Sequence, residues 1–267
     1  MSGAAVRDGQ SEHRRSGKLR VTRVRRVERI TPRMARITFA GDELAGLHSN
    51  GGDQHVALYF YEPGVELPRP FTTEAARALL PVAKPRLRRY TIRHHRPEAG
   101  EVDMDFVLHG ADQLASGWAE RATPGDEAIW FGPGSGWTPG PDAEWAVLLG
   151  DETALPAIAA TLEQLPPGLP VSVVVEVPDR AEEQPLTTRA DARISWLHRG
   201  SRPAGQLLHE RATALPLPPG RGRIWGAAER GVIRELRRHF VEGQGLARSD
   251  THLTPYWTRG ETQDSEV

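Results

Sequence analysis

Two rhythms of apolar residues divide the chain. In the first half apolar and polar positions alternate every second residue. LRVTRVRRVERI (19–30), MARITFAG (34–41), DQHVALYFY (53–61), RRYTIRHH (88–95), EVDMDFVLHG (101–110) and DEAIWFGP (126–133) each read as a strand with one inward face. Six short strands separated by turn residues predict an antiparallel barrel. A long insert at 62–85 carries five prolines and one helical piece, TTEAARALL. Ordered loops of that length often border a site.

In the second half the rhythm changes after GPGSGWTPGPDAE (132–144). That Gly/Pro-rich break predicts a domain boundary. WAVLLG and VSVVVEV are continuous apolar runs, as fully buried strands require. ETALPAIAATLEQL, QLLHERAT and GVIRELRRHFV read as helices, with ISWLHR, RIWGAA and HLTPYW as further strands. Strands alternating with helices predict βαβ units on a parallel sheet. The expected organisation is a disordered tail (1–19), a β-barrel domain (20–142), an α/β domain (143–260) and a second tail (261–267), without an internal repeat.

Composition narrows the function classes. The 267 residues carry 34 basic and 35 acidic side chains, a net charge of −1. Nothing there favours nucleic acid or an anionic membrane, so any electrostatic role is local. Cysteine is absent, which removes disulfides, iron–sulfur clusters and thiol catalysis and fits a reducing compartment. No apolar run approaches the ~18 residues of a membrane span. The first 17 residues lack the apolar segment of a secretory signal, so a cytoplasmic protein is expected. Arg14, Arg15, Lys18 and Arg20 read as solvated charge.

The string R-x-Y-T-x-R at Arg88, Tyr90, Thr91 and Arg93 carries the most chemistry. On a strand, Arg89, Thr91 and Arg93 share one face, and Arg88, Tyr90 and Ile92 the other. A flavin dinucleotide asks for this mixture: an aromatic face and a hydroxyl for the isoalloxazine, guanidinium groups for the diphosphate. The competing reading is structural, since Tyr, Thr and Ile are ordinary strand formers. His94 and His95 are adjacent on a strand and point apart, which argues against a metal site.

GDETALP, with Gly150, Asp151, Glu152 and Thr153, opens a helix after a buried strand, where a phosphate-binding loop belongs. It lacks G-x-G-x-x-G, and its two carboxylates satisfy the helix dipole themselves. At the end of the next strand Glu176 or Asp179 suits a ribose 2′-hydroxyl and Arg180 a 2′-phosphate, so NADH and NADPH both remain open. Glu229 ends a later buried strand and starts a helix. Arg234, Arg237 and Arg238 form an exposed basic stripe on that helix.

A barrel followed by an α/β domain resembles the ferredoxin reductase-like flavoenzymes. The motifs are more specific. DQHVALYF, RRYTIR with VDMDFVLHG, SGWA and PGDEAIWFGPG, LLGDETALPAIAATLEQLP, and IWGAAERGVIRELRRHFVEGQGLARSDTHLTPYWTRG together resemble the siderophore-interacting protein family, flavin-dependent ferric-siderophore reductases. The resemblance implies FAD held by Arg88, Tyr90, Thr91 and Arg93. It also implies a phosphate turn after His109 and Gly110, matched by Ser116 and Trp118, with His109 either structural or near the flavin. Gln113 and Leu114 stand where Gly and Pro are expected, and the Gln113 Cβ limits backbone approach. Ala228 replaces a glycine and narrows access for nicotinamide.

The implied chemistry is reductive. Oxygen ligands hold hard ferric iron and release ferrous iron. NADH or NADPH delivers two electrons and iron takes one, so FAD is the apt intermediary. An anionic ferric siderophore calls for local positive charge. A basic position expected in DQHVALYF is Ala57 here, leaving Lys84, Arg86, Arg230 and Arg259 as candidates, with Trp257 as a flat face. No acid–base catalyst is required, and a monomer is expected. The alternatives are a general NAD(P)H:flavin or ferric-chelate reductase, and a non-enzymatic siderophore- or flavin-binding protein.

Overall fold

The computed structural model describes residues 17–48, 51–110 and 113–261. Most of both predicted tails, including Arg14 and Arg15, lies outside the described residues. Strands β1 (Lys18–Thr31), β2 (Met34–Ala40), β3 (His55–Phe60), β4 (Arg86–Thr91), β5 (His94–Arg96), β6 (Glu101–Val107) and β7 (Glu127–Gly132) form one antiparallel sheet in the order β4-β3-β7-β1-β2-β6-β5. β1 is long enough to serve two neighbours. Lys18 to Arg23 pair with β7, and from Arg23 on the strand pairs with β2, with a register shift between Val24 and Arg26. Such an irregularity bends a strand at a barrel corner.

RRYTIRHH is not one strand. β4 pairs with β3 at one edge of the sheet, and β5 pairs with β6 at the other. Ile92 and Arg93 cross between them: Ile92 N donates to Gln54 O (2.7 Å) and Arg93 N to Asp103 O (2.8 Å). This crossing closes the barrel. Ile37, Phe39, Met104, Phe106 and Trp130 fill its interior and are fully buried. In the insert, α1 (Thr73–Leu79) starts where Thr72 Oγ1 accepts from Ala75 N, as an N-cap threonine should.

The second sheet is wholly parallel, in the order β10-β9-β8-β11-β12. Its strands are β8 (Trp145–Asp151), β9 (Pro170–Val177), β10 (Asp191–His198), β11 (Gly222–Glu229) and β12 (Thr251–Trp257). Helix α3 (Leu155–Gln164) covers one face; α4 (Gln206–Thr213) and α5 (Arg230–Arg237) cover the other. The predicted terminal helix is shorter than expected and continues as a π-helical turn from Arg238 to Gly243. Gly150 lets α3 lie close to β8, since a Cβ there would stand 2.5 Å from Ala154 Cβ. Strand order reverses between β8 and β11, so a ligand crevice belongs outside their C-terminal ends.

Candidate functional site

β4 presents its residues as alternation requires. Tyr90 pairs across the ladder with Val56, and Arg88 with Leu58. The Tyr90 ring lies 4.1 Å, centroid to centroid, from Phe106, and burial pushes its phenol pKa well up. Trp118 stands behind this pair, 5.7 Å from Phe106 and stacked on Phe39 at 6.2 Å. It is partly buried and packs against the barrel core. Ser116 Oγ accepts from His109 N at 2.9 Å, so the hydroxyl braces the turn into α2 (Leu114–Arg121).

Among the described residues no side chain caps α2. Its first N–H groups therefore offer a positive helix terminus beside Gly110, at φ 135°. Gln113 is the N-cap at φ −79° with an exposed side chain. That conformation suits any residue, so no backbone strain accompanies the replacement of a glycine. Guanidinium, aromatic ring, hydroxyl and uncapped helix start are the donor set a flavin dinucleotide needs, and the residues fit FAD.

Arg93 has a second task besides the one expected of it, while its buried Nη1 has no hydrogen-bond partner among the described residues. It is 8% exposed, and its Nη2 donates to Glu163 Oε1 of α3 at 2.7 Å. His94 adds a bond to Asp103 (3.0 Å) and approaches Glu163 (3.8 Å). Burial alone would raise the Glu163 carboxyl, but hydrogen bonds from His94 and Arg93 hold it at about 2.

A second network escaped the sequence reading. Asp53, just before β3, accepts from the Tyr256 phenol of β12 and from Trp225 Nε1 of β11 at 3.1 Å. Thr91 of β4 neighbours Tyr256 and favours the ionised form of its phenol. Burial and then the Asp53 charge push the Tyr256 phenol well above its ordinary pKa. The residue at the flavin strand is thus Tyr256. The neighbouring Trp257 turns the other way, its Nε1 donating to Asp151 Oδ2 at 2.7 Å.

The GDET turn is internally saturated. Asp151 Oδ1 accepts from Thr153 N (2.9 Å) and Oγ1 (2.5 Å). Burial, then the charge of Glu152, pushes Asp151 up to about 6. Glu152 forms a two-pronged pair with Arg199 at 2.5 and 2.7 Å. Glu176 is fully buried and accepts from Gly205 N and Leu208 N, capping α4. It cannot serve a ribose. Asp179 caps the short turn that begins at Arg180, which is exposed. Ala228 is fully buried beneath α5 beside Ile233 and Leu236, so its methyl does not narrow the crevice.

Glu229 caps α5 through Gly231 N and Val232 N. Arg230 Nε donates to Thr258 Oγ1 (2.9 Å) and Arg259 Nη2 to Ala204 O (3.1 Å). Arg259, Arg234, His209 and Glu229 line an open cavity of about 470 Å³. Arg33, His109, Glu152 and Arg199 line a smaller one of about 230 Å³, where the barrel meets the C-terminal edge of the parallel sheet. Arg86 pairs with Glu62 of the insert at 3.1 Å, and Lys84 is exposed beside it. The candidate substrate cations thus fall into two groups, one on the barrel edge and one on the parallel sheet. The basic stripe is only partly free: Arg237 bonds Leu253 O and Arg238 pairs with Glu235.

A curled antiparallel sheet followed by a parallel sheet is the ferredoxin reductase-like fold. The fold recurs in a Neisseria gonorrhoeae ferredoxin NADP+ reductase with bound FAD and NADP, at a TM-score of 0.60, 14% identity and coverage of 90% of this chain and 99% of that one. The chain belongs to the siderophore-interacting protein family. Residues 23–137 match the siderophore-interacting FAD-binding domain and residues 143–260 the siderophore-interacting protein family. It is 34% identical to a siderophore utilization protein from T. fusca, with a TM-score of 0.81 and coverage of 94% of this chain and 96% of that one. It is 30% identical to the NADPH-dependent ferric-chelate reductase of Escherichia coli, over 88% of this chain and 91% of the relative. It is 29% identical to the ferric vibriobactin reductase of Vibrio cholerae, over 88% of both chains.

Proposed function

We propose that this protein is an FAD-dependent oxidoreductase that takes electrons from NADH or NADPH and passes them to iron(III) in an anionic siderophore, releasing iron(II). The observation that carries the reading is the meeting of Asp53, at the start of the strand paired with R-x-Y-T, with Tyr256 and Trp225 of the parallel sheet. Donor and acceptor must both reach one ring, and this is where barrel and crevice face each other.

Arg88 and the uncapped start of α2 would hold the diphosphate, while Tyr90 and Thr91 would seat the ring. Bound FAD accepts two electrons together and yields them singly, coupling a two-electron donor to a one-electron acceptor. The protein's own part is to bind, orient and exclude water, with Arg230 and Arg259 attracting the anionic complex. We read the chain as two domains dividing near residues 142–143, acting as a cytoplasmic monomer. Among the described residues no helix is long and apolar enough to cross a membrane.

The test is anaerobic. FAD-loaded protein is mixed with NADH or NADPH, then with iron(III) dicitrate or a ferric tris-catecholate, with a ferrous trap present. Ferrous iron should appear at the expense of the donor while the chelator stays intact by mass spectrometry. Arg259→Ala should raise the apparent KM for the anionic complex and flatten its salt dependence without changing FAD content. Cleavage of the chelator with iron still ferric would refute the proposal.

A further inference from the structure

Tyr256 and Trp257 are consecutive residues at the end of β12, the outermost strand of the parallel sheet. Their side chains end on acids of different sheets. The Tyr256 phenol donates to Asp53 Oδ1, and Trp257 Nε1 donates to Asp151 Oδ2 at 2.7 Å. Asp53 leads into β3 of the barrel, Asp151 ends β8, and both are buried.

The local backbone explains the split. β12 keeps step with β11 as far as the pair Ala228 and Pro255, and the next pair is Glu229 with Trp257. Tyr256 is therefore the extra residue of a bulge, an irregularity that re-aims a side chain at a sheet edge. Pro255, which has no N–H, suits an edge strand. Trp225 of β11 is fully buried, meets the Tyr256 ring edge-on at 6.4 Å and donates its Nε1 to Asp53 Oδ2 at 3.1 Å. Both oxygens of Asp53 are thus held from the parallel sheet. Burial and the Asp53 charge keep Tyr256 in its protonated, donating form.

On the barrel side Asp53 is fastened to the strand that carries R-x-Y-T. His55 faces Thr91 in the ladder, and Gln54 O accepts from Ile92 N at 2.7 Å. On the other side Asp151 anchors the GDET turn, its Oδ1 taken by Thr153. That turn lies where strand order reverses and a ligand crevice belongs. Two adjacent side chains therefore tie the strand proposed for the flavin to the rim of the nucleotide crevice.

We propose that Tyr256 and Trp257 are positioning residues for the transfer from nucleotide to flavin, together fixing the spacing of the R-x-Y-T strand from the GDET turn. The inference rests on the reductase reading above. The step moves one hydride, a proton with two electrons, from NAD(P)H, which leaves as NAD(P)+, to the flavin, which gains both electrons. Such a transfer needs reacting atoms about 3–3.5 Å apart, and a misplacement of about 1 Å costs on the order of a hundredfold. Hydrogen bonds to a carboxylate are short and directional, so they set a spacing more narrowly than apolar packing does. Passage of electrons onward to iron does not involve the GDET turn, so the two half-reactions should respond differently.

The test compares Tyr256→Phe and Trp257→Phe, each of which keeps an aromatic ring and removes one donor, with the wild-type protein. In FAD-loaded protein under anaerobic conditions, flavin reduction at saturating NADH or NADPH should slow by about ten- to a hundredfold in each variant. In Tyr256→Phe, FAD affinity should stay near wild type, as should the rate at which dithionite-reduced protein gives electrons to iron(III) dicitrate. In flavin-free Tyr256→Phe, NMR should show the Trp257 indole proton exchanging faster with solvent, although its own bond to Asp151 is untouched. Wild-type flavin reduction in both variants, equal slowing of both half-reactions in Tyr256→Phe, or unchanged indole exchange would overturn the assignment and leave the reductase reading standing. Should one variant fail to fold, flavin reduction in the other decides. If the wild-type protein took no electrons from either nucleotide, the reductase reading itself would fall and the positioning role with it.

Discussion

Arg93 and Glu163 meet across the junction of the two sheets, guanidinium to carboxylate at 2.7 Å, 70 residues apart in the chain. One arginine of the R-x-Y-T-x-R string therefore secures the docking of the barrel on α3, and Arg88 is the guanidinium we propose for the diphosphate.

The two arginines should separate by experiment. Arg88→Ala loses a charge-assisted phosphate contact worth ~1.5–3 kcal/mol. Its FAD affinity should fall by about ten- to a hundredfold with little change in stability. Arg93→Ala should lose a comparable ~1.5–3 kcal/mol of stability and keep more of its FAD. Flavin fluorescence titration and urea unfolding measure both quantities. The reverse pattern would exchange the two assignments.

Acid sensitivity should concentrate at Glu163 and Asp103, both carboxyls being held well below their ordinary range. The Glu163 carboxyl sits at about 2 in the folded protein against an ordinary 4.5. A depressed carboxyl contributes stability that is present above the unfolded value and lost as pH falls through the folded one. The window is therefore roughly pH 4.5 down to 2. Hydrogen bonds to Asp103 and Glu163 raise His94, so its contribution is complete below pH 6.5 and fades as pH rises through the raised value. Urea midpoints of Glu163→Gln should lose part of the acid-side slope and shift the basic-side loss.

Asp151 has the opposite sign. Its folded value is about 6 against an ordinary 3.8. The folded state binds the extra proton between these values, so stability declines as pH rises across that window and is level above it. Asp151→Asn should remove this decline. In wild-type protein the Trp257 indole N–H resonance should shift with a midpoint near pH 6, because that proton is bonded to Asp151. An indole signal indifferent to pH between 4 and 7 would count against the assignment.

Gly52 marks the closest approach of the barrel to α3. A Cβ there would stand 2.1 Å from Thr161 Oγ1 and 2.3 Å from its N and Cα. Overpacking typically costs ~1–3 kcal/mol, and here the obstacle includes backbone, so Gly52→Ala should reach the upper end or exceed it. Gly243→Ala, where a Cβ meets nothing nearer than 3.9 Å, is the control. Calorimetry should show a large fall in Tm for the first and little for the second.

The alternation of LRVTRVRRVERI and the apolar run VSVVVEV announced their strands because each element's pattern records its own burial. R-x-Y-T stands out for a comparable reason, since the chemistry proposed for it lies in consecutive residues. What pattern could not reveal was pairing at long range. Nothing in RRYTIRHH says that its two halves attach to opposite edges of a sheet. Glu176 reads as a strand-end acid, and only the fold aims it at the start of α4. Asp53 stands before a strand in a polar context; its partners are 172 and 203 residues away. The one available signal was the aromatic pair Tyr256–Trp257, whose polar tips required partners once buried.

The crossing at Ile92 and Arg93 makes the joint of the barrel and the cofactor motif one stretch of chain. Opening the barrel would break the bonds of those two amides to Gln54 and Asp103 and carry Tyr90 and Thr91 apart from α2. A ligand bound only by the closed form suppresses opening in proportion to its saturation. Deuterium uptake at these two amides should therefore slow as FAD is added, while uptake within the parallel sheet changes less. Occupancy would be written into the exchange rate of the joint itself, so supply of the vitamin would govern how long the folded chain survives a protease.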